Sequence, residues 1–528
     1  MKYYKDLREY IAFLQSKGQL VTIHREINKD TELQPLVRCQ FHGLQETERK
    51  AFLFDNCTDV QGRKYNGRVL AGAHAASTQI YAYAMNCRPE QIPEKWEKAR
   101  RRPIRTRRVE SGPVQEEIHM GDGLLAHGGL EEFPIPIATP GFDNAPYFSA
   151  GNWISKDPDT GIYNMGNYRG MVKSPVKVGC DNLLPQHLRT HREKYKKKGA
   201  ATMPAAVVIG PTPNVGLVAV AKLPYGVSEL DVAGAIAGAP LEMVRCQTID
   251  LEVPANAEIV IEGEIPTDIL EREGPFGEYT GYIGRAKMNL LLNVTAITHR
   301  KNPIWNIFIS QCPPSESSLM TRLGLENIFY NFLKHDLSVT NLRAVGFHEK
   351  GGGRQFCVIS LEKPNQGDVW RTLNGAASLA PIHAKIIIVV DEDIDPRDMG
   401  SVVWALCFRM QPHRDLRVSP GKATSLDPSI VPPADIKGNT ENPYGSALLI
   451  DATRKWDYYP VSLPKKEYME HAARIWAEEG LPALNFKEPW FGYNLGFWNA
   501  EDEKEAELAL KGQHYQTGEK IAKNQIKG

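Results

Sequence analysis

The sequence holds no CxxC pair and no closely spaced cysteine framework. Its eight cysteines, Cys39, Cys57, Cys87, Cys180, Cys246, Cys312, Cys357 and Cys407, are scattered along 528 residues. That spacing excludes a small secreted scaffold stapled by disulfides and makes a reducing cytoplasm the expected compartment. There is no excess of either charge, with 63 basic against 63 acidic residues, so no global field favours nucleic acid or a membrane surface. No uninterrupted apolar run reaches the roughly 18 residues a transmembrane helix takes, and no membrane span is expected. The stretch MKYYKDLREYIAFLQSKGQ does not read as a signal peptide, since it mixes charges into its apolar residues. Leu7, Tyr10, Ile11 and Leu14 predict instead an amphipathic helix closed by Gly18. Internal repeats and low-complexity segments are absent. Gly351, Gly352 and Gly353 lack the spacing of a phosphate-binding loop and read as a hairpin tip.

What is present is a globular composition, 42% hydrophobic and 24% charged in 59.0 kDa, enough for a large core and more than one domain. The basic run KWEKARRRPIRTRR, from Lys95 to Arg108, reads as a solvated or interdomain stretch before it reads as an anion site. Between residues 200 and 310, AAVVIG, GLVAVAKL, EIVIEGEI, NLLLNVTAI and WNIFIS are short β-rich runs separated by turn residues, the pattern of a barrel or sandwich. A helix is predicted from Ser317 to His335, with Leu319, Leu323, Ile328, Phe329, Phe332 and Leu333 as its apolar face. The strand-like KIIIVVDED and helix-like DMGSVVWALCFRM that follow point to a second αβ layer. The tail from Ala500 is charged and predicts a helix. The aromatic cluster PWFGYNLGFW, Pro489 to Trp498, reads as an anchor or subunit contact before it reads as a stacking pocket.

The most informative segment is REGPFGEYTGY. Glu273 and Glu278 bracket Gly274, Pro275, Phe276 and Gly277, and a tight turn of that composition lets both carboxylates face one space. Neighbouring carboxylates repel, which raises the pKa of one so that it donates a proton near neutral pH while the other stays ionised. The spacing alone leaves open a surface turn with two solvated glutamates.

Upstream stand YNMGNYRGM, LLPQHLRTH and LPYGVSELD, and with EGPFGE they resemble, in order and interval, the signature of the UbiD-like decarboxylases. LEVPANAEIVIEGEI and DATRKW extend the resemblance over most of residues 1 to 490. It implies an α+β and α/β multidomain chain: an N-terminal αβ domain over 1–118, a split β-barrel domain binding prenylated FMN over 119–315, a linker helix over 316–335, a C-terminal αβ domain over 336–492, and a tail over 493–528 that contacts a partner copy. The resemblance places a divalent-metal site on Asn164, His187 and Glu229, a donor set suited to Mn²⁺, with K⁺ as a further ion. Each of the three taken singly is a turn residue, a hydrogen-bonded histidine or a helix N-terminal charge. By resemblance Arg169, Glu273 and Glu278 are the catalytic charges, and Gln186 lies against cofactor or substrate. Arene decarboxylation leaves an aryl carbanion that no side chain can absorb. In the family the sink is prenylated FMN, bonded covalently to the substrate. The resemblance assigns Glu278 the returned proton and Glu273 with Arg169 the positioning of the carboxylate.

One position departs from the pattern. Relatives carry a phosphate-contacting lysine before the DATxKW segment, and here NPYGSALLIDATRKW places Ala447 there. Lys222 is the candidate replacement, alongside metal and backbone amides. The expected activity is reversible, non-oxidative decarboxylation of an aromatic or α,β-unsaturated acid or its aryl-CoA thioester, the basic run at 95–108 being a possible CoA handle. The expected partners are CO₂, a flavin prenyltransferase as cofactor supplier, and further copies in a homodimer or homohexamer. The competing readings are an FMN-dependent oxidoreductase, which leaves the two glutamates and the arginine unexplained, and a non-catalytic subunit of a heteromeric carboxylase.

Overall fold

The N-terminal pattern folds as its spacing predicts. The computed structural model describes residues 2–182, 186–221, 223–379, 382–422, 426–430, 445–484 and 496–523. In it Asp6 caps the helix Leu7–Ser16 by accepting the Glu9 N–H, and Leu7, Tyr10, Ile11 and Leu14 form the buried face. The chain divides into two compact units, one of residues 1–328, 347–356 and 423–444, the other of 329–346, 357–422 and 445–528.

The first unit holds a four-stranded sheet, in the order Leu20–Ile23, Ala51–Phe54, Arg68–Ala71 and Ile304–Ile307, and a larger one. The larger sheet runs Tyr163–Asn167, Asn152–Lys156, Thr202–Ile209, Ile259–Pro266, Lys287–His299, Lys177–Cys180, Gly170–Ser174, Tyr147–Phe148. Glu117–Met120 and Glu271–Glu273 also pair with the long Lys287–His299 strand. Its apolar runs are explained by burial on both faces. Ala205, Val207 and Ile209 enter one core cluster with Trp153, Ile261 and Trp305, while Ala206 and Val208 enter another with Ile154, Met165 and Val260.

This sheet has to curl. Tyr163–Asn167 begins the order and Gly170–Ser174 stands six strand spacings away, which in a flat sheet is about 29 Å. Yet only Tyr168 and Arg169 connect them, and three successive Cα steps reach about 11 Å at most. The first strand and the last but one are therefore drawn together at Tyr168 and Arg169, which gives the split barrel expected for this region.

GLVAVAKL corrects the sequence reading. Its first four residues lie in a helix, Pro213–Ala219, that has Pro213 in its first turn and every residue buried. An element packed on all sides shows no amphipathic period, and a continuous apolar run does not separate helix from buried strand.

The second unit holds a five-stranded sheet in the order Leu342–Phe347, Phe356–Leu361, Ile386–Asp391, Gly445–Asp451, Leu416–Lys422, with Gln366–Leu379 and Met399–Arg409 as helices between its strands in the chain. KIIIVVDED and DMGSVVWALCFRM are thus strand and helix, as expected. The helix predicted from Ser317 is Glu316–Asn331, continued by a π turn over Phe332–Asp336. Gly351, Gly352 and Gly353 lie between two adjacent strands, as read from sequence. Ala447 is fully buried in its strand, opposite Ser419. The tail is helical over Ala500–Leu510 and His514–Ala522. Among the described residues no helix is long and apolar enough to cross a membrane. Lys222 and, within the aromatic cluster, Pro489 to Leu495 lie outside the described residues.

Candidate active site

Arg169 stands at the closure of the curled sheet, and the turn carrying the two glutamates comes to it. Glu273 ends the strand Glu271–Glu273. Gly274 follows at φ 91°, a conformation L side chains rarely adopt, and a Cβ there would lie 3.1 Å from Ala286 Cα, so the turn needs glycine. Arg169 donates from Nε to Glu273 Oε1 at 2.9 Å, from Nη2 to Glu273 Oε2 at 2.9 Å, and from Nη1 to Glu278 Oε1 at 2.6 Å. The guanidinium lies over the Phe276 ring, 5.1 Å from its centroid. The turn that the sequence suggested thus aims both carboxylates at one cation.

A third acid belongs to the group, and sequence reasoning missed it. Asp181 lies 3.2 Å from Arg169 Nη2, is 3.1 Å from Lys287 Nζ and accepts from Asn289 Nδ2 at 2.6 Å. Its only signal in sequence is that it directly follows the buried strand Lys177–Cys180. Three carboxylates and two cations leave one negative charge in excess, which favours retaining a proton on one acid. Burial raises the Glu278 pKa above the ordinary carboxylate range, against the pull of Arg169 and with the repulsion of Asp181. Burial alone would lower the Arg169 pKa, but Glu273, Asp181 and Glu278 outweigh it and hold the guanidinium charged.

Asn164, His187 and Glu229 form a second group. Asn164 lies in the strand Tyr163–Asn167, and His187 and Glu229 are each the first residue of a helix, His187–Lys197 and Glu229–Ala237. Asn164 Oδ1 and His187 Nδ1 are 3.0 Å apart, and His187 Nδ1 lies 3.9 Å from Glu229 Oε1. Glu229 Oε2 accepts the Met165 N–H at 2.9 Å. Only 3% exposed, Glu229 has its pKa pushed up to about 7 by burial. Among the described residues its ion-pair partner is His187. An amide oxygen, an imidazole nitrogen and a buried carboxylate short of positive charge fit a divalent cation. The two helix N-termini beside them fit the anionic oxygens of a phosphate.

Gln186 stands at the N-cap of the His187 helix, where its carbonyl accepts the Thr190 N–H at 3.0 Å. Tyr225, inside LPYGVSELD but not singled out from it, meets the His187 ring edge to face at 5.1 Å and donates to Asp157 Oδ2 at 2.5 Å. Lys194 Nζ holds the same oxygen at 2.7 Å. The basic run divides between the helix Ile92–Arg101 and the strand Arg107–Arg108. Several of its charges are already paired, Arg101 with Glu97, Arg107 with Glu242 and Arg108 with Glu252.

Known proteins share this chain's sequence pattern and its fold. The family model for the 3-octaprenyl-4-hydroxybenzoate carboxy-lyase Rift-related domain, UbiD, matches residues 106–313, and the model for the carboxy-lyase C-terminal domain matches residues 320–452. An uncharacterised protein of Archaeoglobus fulgidus is 31% identical over 472 residues, 86% of this chain and 92% of its own. Among solved structures, an evolved dimeric form of the UbiD-class enzyme HmfF from Pelotomaculum thermopropionicum, in complex with prFMN, is 30% identical. It superposes with a TM-score of 0.75 over 88% of this chain and 98% of its own. The apo 3,4-dihydroxybenzoic acid decarboxylase AroY of Klebsiella pneumoniae is 26% identical, with a TM-score of 0.76 over 89% of this chain and 99% of its own.

Proposed function

Since the chain belongs to the UbiD family of carboxy-lyases, we propose that it catalyses the reversible, non-oxidative decarboxylation of an aromatic or α,β-unsaturated carboxylic acid, free or as its aryl-CoA thioester, with prenylated FMN and Mn²⁺ or a similar divalent ion. The observation that carries this reading is Arg169 held between Glu273 and Glu278. Hydride transfer needs no such group, and a cofactor-holding subunit has no use for it.

When bound, prenylated FMN supplies the covalent electron sink that side chains lack. The residues that would hold it and its metal are Asn164, His187 and Glu229, with Gln186 beside them and Lys222 and K⁺ as further contributors. Of the five N–H hydrogens of Arg169, two bond Glu273 and one bonds Glu278, while Asp181 lies 3.2 Å from Nη2. The second Nη1 hydrogen is the one this reading gives to a substrate carboxylate. Glu273, gripped by two parallel hydrogen bonds, keeps the guanidinium plane fixed. Glu278 carries the proton given to the ring carbon once CO₂ has left, and in the carboxylation direction takes it back.

The test is co-expression with a flavin prenyltransferase and purification with and without oxygen. Intact cofactor mass and CO₂ release are then measured over a panel of aryl acids and aryl-CoA thioesters. The reading expects a mass of FMN plus a prenyl unit together with CO₂ from a panel member. A chain that binds no prenylated flavin under either condition overturns it. Assembly as a homodimer or homohexamer belongs to the same reading and is checked by light scattering.

A further inference from the structure

At the far end of the long Lys287–His299 strand, four side chains that the proposed reaction does not use converge. The strand Glu117–Met120 pairs antiparallel with it, His119 opposite Ile297 and His299 opposite Glu117, so His119 and His299 are diagonal neighbours on one face. A short helix, Asp122–Ala126, brings the chain round to His127. Gly128 and Gly129, at φ 86° and 56°, turn it back so that Glu132 returns beside His119.

Glu132 is the centre of the group. Its Oε2 lies 3.2 Å from His119 Nδ1 and its Oε1 lies 3.5 Å from His299 Nε2. The ligand atoms of His119, His127 and Glu132 all fall within 4.8 Å of one another. His299 is 5% exposed and its Nε2 has no hydrogen-bond partner, nor has Glu132 Oε2. His299 Nδ1 stands 2.8 Å from the Arg300 carbonyl oxygen, which can only accept, so Nδ1 carries the hydrogen. Nε2 then faces a carboxylate oxygen, and either a proton on Nε2 or a metal ion must stand between them. A charge-assisted hydrogen bond closes to about 2.7–2.9 Å. The separations here are longer. Two ligands each about 2.0–2.1 Å from a tetrahedral zinc ion stand about 3.3–3.4 Å apart, near the 3.2 Å between His119 Nδ1 and Glu132 Oε2, while the 3.5 Å contact of His299 is to the other oxygen, Oε1.

We propose that His119, Glu132, His299 and His127 form a closed zinc site that clamps the Glu117–Glu132 excursion to the end of the Lys287–His299 strand. Three imidazoles and one carboxylate are a zinc donor set, and four protein ligands leave no open position, which marks a structural site. The Arg300 carbonyl sets the His299 tautomer from behind, as outer partners of metal-bound histidines do. His127 completes the set from the surface. Its ring stacks on His119 with centroids 3.8 Å apart and planes at 22°, so it must turn about its side-chain bonds to aim a nitrogen at the same point.

The test uses the full-length, tag-free protein, stripped with a chelator and titrated with Co²⁺ alone and then with Zn²⁺. The expected result is a tetrahedral Co²⁺ absorption band at one equivalent in the wild type, bleached by Zn²⁺, and retained in Asn164→Ala, which alters the other metal candidate. His127→Ala, at an exposed position, should bind Co²⁺ at least tenfold more weakly with an unchanged circular dichroism spectrum, and Zn²⁺ should raise Tm in the wild type but not in this variant. His127→Gln, which keeps the side-chain bulk, gives the same readout should the alanine variant fold poorly. A wild type without a tetrahedral band, or His127 variants that bind Co²⁺ as tightly as the wild type, would overturn the site and leave an imidazolium–carboxylate cluster.

Discussion

Arg169 and Glu273 face each other with two parallel hydrogen bonds of 2.9 Å, although 104 positions separate them in the chain. Lysine keeps the charge of Arg169 but cannot make that planar contact while also reaching Glu278. Arg169→Lys is expected to lower kcat about 10²-fold or more, in the range of a lost preorganised donor. CO₂ release from the loaded enzyme measures it, and a rate within a few-fold of wild type would remove Arg169 from the chemistry.

Glu278 is the acid expected to carry a proton, and Glu278→Gln should cost about 10²- to 10⁴-fold in turnover. The variant should also fail to exchange ring hydrogen for deuterium in D₂O. Burial holds the Glu278 pKa above the ordinary carboxylate range, so the proton-bearing form survives to higher pH and is lost as pH rises through that value. The rate of decarboxylation should therefore fall on the alkaline side, and Glu278→Asp should shift that limb to lower pH. Exchange by Glu278→Gln at the wild-type rate would assign the proton elsewhere.

Tyr225 meets the metal candidate at the His187 ring, and Asp157 fixes its hydroxyl. Tyr225→Phe keeps the ring and loses that bond. Supports of this kind usually change metal affinity about 10- to 100-fold. Mn²⁺ retained after dialysis at graded free metal should fall accordingly, whereas Glu229→Gln should lose both metal and flavin. Unchanged metal content in Glu229→Gln would exclude it as a ligand.

Asp157 makes stability depend on acid. Burial would raise its pKa, but hydrogen bonds from Lys194, Tyr225 and the Asp159 N–H hold it well below the usual range. A depressed carboxylate contributes stability above its unfolded value of about 3.9, and that contribution is lost as pH falls through the folded value. Tm should drop on acidification below about pH 4, and Asp157→Asn should start lower at pH 7 and show a flatter acid limb. Parallel curves for the two proteins would locate the acid sensitivity in another group.

Much of this was legible in the residues themselves. Leu7, Tyr10, Ile11 and Leu14 gave a helical period, and Gly274 and Pro275 gave a turn with a glutamate on each side. GLVAVAKL misled because a segment buried all round has no period to show. Asp181 was invisible because a single acid has no spacing. Its role depends on Arg169, Lys287 and Asn289, which strand pairing alone brings near. The zinc candidate was hidden for the same reason, since His119, His127 and Glu132 look unremarkable until His299 is set across from Glu117.

Tyr168 and Arg169 join the strand at one edge of the sheet to the strand next to last at the other. The strand after Arg169 reaches the strand ending in Glu273 through Lys177–Cys180 and Lys287–His299 alone, so in a chain still on its way to the native state it is the Asn164 strand that lies at the opposite margin until the last strands close. Recovery of turnover after dilution from denaturant would report that closing event, and lag behind any probe that sees only strand formation.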